Sequence, residues 1–271
     1  MAPGFDEATA VTAAGAGRWR AEIHRGWRGG GGPHGGYVSA IVARALLAEL
    51  DDPGRAARSL TIHFLAPPAI GPVEVVVSTE RAGRSLTSLS ARLEQDGRTC
   101  ALALAAFSAA RDAPAYAETD MPDIPPPEEL ETYDVAGFGG PEFFGNVEVK
   151  PAIGGFVGSG TPEIGGWMRP AEHGAVDVPT AAFLLDAFWP AAYPRLDSAV
   201  GAPTVDLTMH FRRELPATAP GEFVLGRFSS RLLHDGFFEE DGELWAPDGR
   251  LLAQSRQLAI VLPDANRLPT A

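Results

Sequence analysis

Asp186 is the first residue whose type and setting point to chemistry. It lies in AAFLLDAFW, residues 181–189, with large apolar side chains on both sides. Because burying an unpaired charge is costly, this carboxylate must be exposed, satisfied by hydrogen bonds, or functional. An exposed position would place it on the polar face of an amphipathic helix. In a functional setting, a carboxylate can act as a general base.

A second candidate is the glycine-rich stretch GGGGPHGGY, residues 29–37. A phosphate-binding P-loop needs a Gly-Lys-Ser/Thr ending, and a dinucleotide fingerprint needs a preceding strand in a βαβ unit. Neither pattern fits. The stretch favours a glycine-lined helix N-terminus, whose N–H groups can stabilise a developing oxyanion. Gly35, Gly36 and the Tyr37 N–H are the candidates, with a flexible strand-to-helix loop as the alternative. His34 could contact a substrate or be an ordinary loop residue.

Cysteine and histidine give little support for other chemistry. Cys100 is the only cysteine, which excludes an intrachain disulfide and a multi-cysteine zinc site. Its surroundings, TCALALAAF, are typical of a small core residue. None of the six histidines has the spacing of a zinc helix motif. The sequence therefore predicts no metal site.

Composition limits the possible partners. The net charge of −13 argues against nucleic acid and anionic membranes, since both need a basic face. No apolar run approaches the roughly 20 residues that span a bilayer, and the N-terminus does not resemble a secretory signal. We expect a cytoplasmic protein. Its 271 residues, 45% of them hydrophobic, can bury one large core or two smaller ones.

The elements that position these candidates follow one pattern twice. The first half has helical spacing over residues 36–50, then four predicted strands at 59–66, 71–83, 84–97 and 98–108. The second half predicts strands in FFGNVEVKP and GGWMRP, a helix over 178–193, and strands at 203–213, 221–232, 236–249 and 250–262. Within the 236–249 stretch, EEDGE is most simply a solvated hairpin tip. Between the halves, residues 111–142 are rich in proline and acid, which predicts a surface connector.

Matching landmarks indicate that the halves are repeats. SLTIHF begins at Ser59 and DLTMHF at Asp206, so the offset is 206 − 59 = 147. The helix-to-strand spacing is also equal, since both 59 − 39 and 206 − 186 are 20. The sequence predicts an α+β fold in which an antiparallel sheet wraps a central helix twice. We place the N-terminal half at residues 1–110, the linker at 111–142 and the C-terminal half at 143–271.

The order and spacing of these pieces resemble the acyl-CoA thioesterase II family. The resemblance covers nearly the whole chain and rests on PHGGY, SLTIHFLAP, MPDIPPPEE, LLDAFWP, PTVDLTMHF and LLAQSRQ. It implies a double hot-dog fold and a catalytic trio of Asp186, Thr204 and Gln257. It also implies hydrolysis of fatty acyl-CoA in lipid metabolism by an oriented water, without a cofactor. The resemblance further implies association of such chains, so a homodimer is expected.

Two other functions stay open. One is a hot-dog hydratase or dehydratase, which needs a histidine near a helix start, and VPTAAFLLDAFW offers none. The other is a non-catalytic acyl-CoA-binding module. Subtracting 147 from 186 and 204 gives Ser39 and Ala57 as the counterparts of Asp186 and Thr204. The motif DGR recurs at Asp96 and Asp248 with an offset of 152, which gives Ala105 as the counterpart of Gln257. Because the first half lacks the carboxylate and the amide, we expect one working site per chain.

Overall fold

The computed structural model describes residues 3–137, 139–172 and 174–262. Within these ranges the chain forms a 13-stranded sheet in which neighbouring strands run antiparallel. Two α-helices pack against each other and against strands of this sheet. Few helices and one large antiparallel sheet agree with the predicted α+β class.

The N-terminal half supplies six strands and two helices. The helices are α1 (Phe5–Ala8) and α2 (Gly35–Leu50), and the strands are β1 (Thr12–Gly15), β2 (Arg18–Ile23), β3 (Ala56–Phe64), β4 (Gly71–Ala82), β5 (Thr87–Gln95) and β6 (Arg98–Ser108). The strands lie in the order β1-β2-β4-β5-β6-β3. The predicted helix and four strands are confirmed as α2 and β3 to β6. The sequence pattern did not indicate α1, β1 or β2.

In the described residues, the C-terminal half supplies seven strands and one α-helix. Its elements are β7 (Val147–Ile153), β8 (Glu163–Pro170), α3 (Val178–Leu184), β9 (Thr204–Phe211), β10 (Val224–Ser229), β11 (Leu233–His234), β12 (Phe237–Trp245) and β13 (Leu251–Ile260). The sheet continues in the order β9-β13-β12-β10-β8-β7, and the short β11 pairs with β12. Each predicted strand region of this half overlaps one of these strands, and β11 lies outside the predicted regions.

The two halves meet where β3 pairs with β9. Thr61 lies opposite Thr208, and their hydroxyl oxygens are 3.2 Å apart. The pairing is symmetric about this point, because Ser59 faces His210 and His63 faces Asp206. Since 208 − 61 is also 147, Thr61 faces its own repeat counterpart at the centre of this pairing.

The interior is apolar and aromatic where the two helices meet. Trp27 stacks on Tyr37 with ring centroids 5.2 Å apart, and Phe183 meets Trp27 edge-on at 5.4 Å. All three side chains are fully buried. Cys100 is also buried, which confirms its predicted core position. Burial of large apolar side chains is the main force that holds these elements together. It brings the beginning of α2 against the end of α3.

The linker follows the outer surface of the C-terminal half. Residues 111–120 are exposed, and no strand or α-helix forms in the described residues between 111 and 141. Three of its apolar side chains pack on three side chains of the sheet, namely Met121, Ile124 and Leu130 on Trp167, Leu225 and Trp245. The Trp167 Nε1–H also donates to the Pro125 carbonyl at 2.8 Å.

The helix predicted over residues 178–193 is much shorter, since α3 ends at Leu184. The N–H groups of Asp186 and Ala187 bond to carbonyls three residues back, at 3.1 and 3.2 Å, which tightens the chain into a turn. Pro190 has no N–H with which to continue a helical ladder. Asp186 therefore lies in the turn after α3.

The prediction of a solvated hairpin tip at EEDGE is wrong. Residues 239–243 lie inside β12, between β10 and β13. The actual turn lies at Asp248 and Gly249, where Gly249 adopts a φ of 84°. Because a strand sends alternate residues to opposite faces, Glu240 points into the interior and is only 5% exposed.

Candidate active site

The N-terminus of α2 forms one side of the candidate site. His34 is its N-cap residue, and its Nδ1 accepts a long hydrogen bond from the Tyr37 N–H, at 3.4 Å. This bond satisfies one of the N–H groups that a helix start leaves without a partner. The imidazole is buried and stacks on Phe143, with centroids 3.9 Å apart.

The turn after α3 forms the opposite side. In a continuing helix, the Asp186 carbonyl would accept a bond from residue 190, but that residue is Pro190. The carbonyl instead lies 2.8 Å from His34 Nε2. Since Nδ1 accepts from the Tyr37 N–H, Nε2 carries the proton and donates to Asp186. The two halves of the chain are thereby joined at the site.

The carboxylate of Asp186 reaches the first turn of α2. The Gly36 N–H donates to Asp186 Oδ2 at 2.6 Å. A negative group at a helix N-terminus is favoured by the helix dipole. His34 Nε2 lies 3.5 Å from the same oxygen. The buried carboxylate is thus held by hydrogen bonds, which was one of the three alternatives for Asp186.

Close approach explains the glycines at 35 and 36. A Cβ on Gly35 would lie 2.8 Å from Asp186 Oδ2, and a Cβ on Gly36 would lie 2.6 Å from the Phe183 carbonyl oxygen. A side chain at position 35 would push the carboxylate itself, and one at position 36 would displace the backbone of the turn that carries it. Gly31, in contrast, faces open space, as expected of a loop.

Burial shifts the pKa values of Asp186 and His34. Desolvation raises the pKa of Asp186, while His34, the Gly36 N–H and Gln257 act in the opposite direction. Desolvation lowers the pKa of His34, so the imidazole stays neutral at pH 7. The side chains of His34 and Asp186 are 8% and 11% exposed. A carboxylate with a raised pKa is well suited to accept a proton near neutral pH.

Thr204 and Gln257 lie together on neighbouring strands. Thr204 begins β9 and Gln257 lies in β13, as the resemblance implied. The Thr204 hydroxyl donates to Gln257 Oε1 at 2.8 Å. Ser255, Gln257 and Ala259 share the buried face of β13, so Gln257 is not an ordinary solvent-facing residue. Gln257 also partly offsets the rise in the pKa of Asp186 that burial causes.

Glu240 is a member of this network that sequence analysis missed. Its Oε1 accepts from Gln257 Nε2 at 2.7 Å, and its Oε2 accepts from the Ala191 N–H at 2.6 Å. Burial raises the pKa of Glu240 to about 7. The sequence signal that could have identified Glu240 is the two-residue period of a strand, which places residue 240 on the same face as Phe238.

Two other residues that were predicted to bind the substrate, Gly36 and Tyr37, contact protein groups in the structure. The Tyr37 ring lies in the core, and its hydroxyl is within 2.9 Å of the Ala8 and Glu22 carbonyls. The Gly36 N–H that was expected to face an oxyanion holds the Asp186 carboxylate. The structure therefore gives the α2 N-terminus a role in orienting the candidate base.

The first-half counterparts form no such network. The Ser39 hydroxyl donates to the Gly35 carbonyl at 2.9 Å, inside its own helix. Ala57 and Ala105 line a small apolar cavity together with residues of α2. These three positions provide neither an acid nor an amide.

Within 3–137, 139–172 and 174–262, no group of three or more His, Cys, Asp or Glu side chains is placed to hold a metal ion. The helices in these ranges are also too short or too polar to cross a bilayer.

Known structures share this architecture over nearly the whole chain. A protein of unknown function with a hot-dog fold from Alicyclobacillus acidocaldarius is 27% identical, with a TM-score of 0.88, and the match covers 95% of this chain and 97% of that one. A candidate thioesterase II from Thermobifida fusca YX is 30% identical, with a TM-score of 0.81 and the same coverage. An acyl-CoA thioesterase II, TesB2, from Mycobacterium marinum shares the fold at 18% identity, with a TM-score of 0.77 over 97% of this chain and 100% of that one. The large antiparallel sheet with few helices is therefore a hot-dog fold.

Family models identify both halves. The model of the acyl-CoA thioesterase N-terminal domain matches residues 23–108, and that of the C-terminal domain matches residues 119–261. A search of proteins with curated functions gave no match. The chain belongs to the acyl-CoA thioesterase II family.

Proposed function

We propose that this protein hydrolyses fatty acyl-CoA to a free acid and coenzyme A. The observation that carries the proposal is the buried Asp186 carboxylate, which the Gly36 N–H holds at 2.6 Å beside the Thr204–Gln257 pair. Membership of the acyl-CoA thioesterase family supports the reaction class. The proposal also specifies that the acyl group of the substrate is a fatty acyl chain.

In the proposed reaction, Asp186 takes a proton from a water molecule as the water oxygen attacks the thioester carbonyl. The Gln257 amide and the Thr204 hydroxyl, both neutral, fix the direction of that water. The positive end of the α2 dipole favours the negative charge that develops on the carbonyl oxygen. The C–S bond then breaks, and the thiolate leaves as a thiol with the proton that Asp186 holds. Neither a metal ion nor an organic cofactor takes part.

A hydratase is the second candidate, because His34 lies beside Asp186. The segment around Asp186 contains no histidine, but the first half of the chain supplies one beside it. Both ring nitrogens of His34 are engaged, however, with the Tyr37 N–H and the Asp186 carbonyl. A histidine held in this way is better suited to fixing Asp186 than to transferring protons, so hydrolysis is favoured.

The same observations support a duplicated plan with one site per chain. We propose a double hot-dog in which the C-terminal half supplies the trio and the N-terminal half supplies His34 and the α2 N-terminus. The symmetric β3–β9 junction supports this plan. The domain boundaries given above and the expected dimer are part of the proposal.

The test is an assay of the purified protein with short-, medium- and long-chain acyl-CoAs, with release of free thiol as the signal. We expect turnover of medium or long chains that a chelator does not reduce. Loss of activity with the chelator and its return with zinc would contradict the mechanism. Binding of every acyl-CoA without thiol release would favour the non-catalytic module.

A further inference from the structure

Glu240 is a buried acid with no cation among its described hydrogen-bonding partners. It lies on the inner face of β12 and is 5% exposed. Burial of a carboxylate is costly unless hydrogen bonds compensate for the lost water. Its two partners are the neutral N–H groups of Ala191 and Gln257.

These two bonds connect the segments that carry the proposed catalytic groups. Ala191 lies in the segment that follows Asp186, and Gln257 lies on β13. One carboxylate at 2.6 and 2.7 Å from the two nitrogens therefore couples the Asp186 segment to the strand of Gln257.

The Gln257 amide has one oxygen and one nitrogen, so its two ends are not equivalent. In the observed direction, Oε1 accepts from the Thr204 hydroxyl and Nε2 donates to Glu240. When Glu240 is ionised, a half-turn of the amide would place Oε1 against the carboxylate oxygen, and two acceptors cannot share a proton that neither carries. The Glu240 carboxylate therefore selects one direction of the amide.

We propose that Glu240 is a positioning residue for the hydrolysis, which fixes the Gln257 amide so that Oε1 holds the Thr204 hydroxyl and Nε2 faces Glu240. This inference rests on the proposed function of the trio. Glu240 acts through Gln257 and does not itself contact the thioester.

Glu240→Gln tests the inference with almost no change in size. A glutamine at this position has one acceptor oxygen, whereas the N–H groups of Ala191 and Gln257 need one acceptor each. Either one of the two hydrogen bonds is therefore lost or the Gln257 amide turns over. We expect kcat to fall about 10- to 100-fold, the equivalent of one buried group without its partner, with KM changed less than about threefold.

Glu239→Gln is the matched control on the opposite face of β12, where the side chain is 22% exposed and binds the Arg231 and Leu232 N–H groups. It should keep the kcat of the wild type. A wild-type kcat in Glu240→Gln would overturn the inference.

A double variant separates positioning from general structural damage. If Glu240 acts only through Gln257, then Glu240→Gln should cause no further loss of kcat in a Gln257→Ala background. Multiplication of the two losses would contradict the inference.

A third measurement does not depend on activity. The NH₂ signals of Gln257 in a ¹⁵N–¹H spectrum, assigned by their loss in Gln257→Ala, should shift in Glu240→Gln and stay unchanged in Glu239→Gln. Unchanged signals in Glu240→Gln would overturn the inference even if the wild type is active. The expected shift together with a wild type that hydrolyses no acyl-CoA would support the positioning role and refute the proposed function.

Discussion

Substitution of Gly35 by alanine should separate the geometry of Asp186 from the stability of the fold. The added Cβ would lie 2.8 Å from Asp186 Oδ2 and 3.4 Å from the Phe64 ring. Ordinary contact begins at about 3.4 Å, so the carboxylate must move by 3.4 − 2.8 = 0.6 Å. The 2.6 Å bond from the Gly36 N–H opposes this movement. A 1 Å error in position can reduce a rate by about 100-fold, so we expect a loss of kcat between about 10- and 100-fold.

Stability should change much less than activity in this variant. Alanine favours a helix over glycine by up to about 1 kcal/mol, and overpacking typically costs about 1–3 kcal/mol. These terms oppose each other, so the net change should stay within about 2 kcal/mol in urea unfolding. Gly31→Ala is the matched control, because its Cβ meets nothing within 4 Å. If Gly35→Ala hydrolyses acyl-CoA as fast as Gly31→Ala, then close approach of Asp186 to this glycine does not matter for catalysis.

Three further predictions follow from the same contacts. Thr204→Val should lower kcat about 10- to 100-fold by leaving Gln257 Oε1 without its donor, and equal rates for Thr204→Val and wild type would contradict this role. His34→Ala should lose at least about 1 kcal/mol of unfolding free energy, as for other lost N-caps, and an unchanged urea midpoint would contradict it. Because the pKa of Glu240 rises from 4.5 to about 7 on folding, its stabilising contribution is complete below pH 4.5 and is lost as the pH rises to about 7. Melting temperatures between pH 4.5 and 8 should show this decline in the wild type and less of it in Glu240→Gln, and equal slopes would contradict the raised pKa.

Local patterns were sufficient to predict most of the elements. The helical spacing of residues 36–50 and the alternation in β3 to β6 depend on burial of one face, which a sequence records directly. Asp186 could be singled out in the same way, because a carboxylate among large apolar residues is rarely without a partner. The glycines at 35 and 36 indicated close approach, although the sequence could not say to which group.

The remaining features depend on contacts between distant segments. Asp186 meets Gly36 and His34 across about 150 residues of chain, so no local pattern could pair them. The end of α3 is set partly by the bond from His34 to the Asp186 carbonyl, which the apolar spacing does not encode. Glu240 was missed because a run of acids indicates a solvated surface on average, while its burial follows from the place of β12 between β10 and β13.

The most direct test of the proposed mechanism is the rate of Asp186→Asn on an acyl-CoA that the wild type hydrolyses. Asparagine keeps the size of the side chain and an oxygen that can accept from the Gly36 N–H, so folding should be retained and can be checked by circular dichroism. Loss of a general base typically lowers a rate by about 10²- to 10⁴-fold, and one site per chain leaves nothing to compensate. We predict a loss in that range. Residual turnover near half of the wild-type rate would mean two equal sites, and it would contradict both the single site and the role of Asp186.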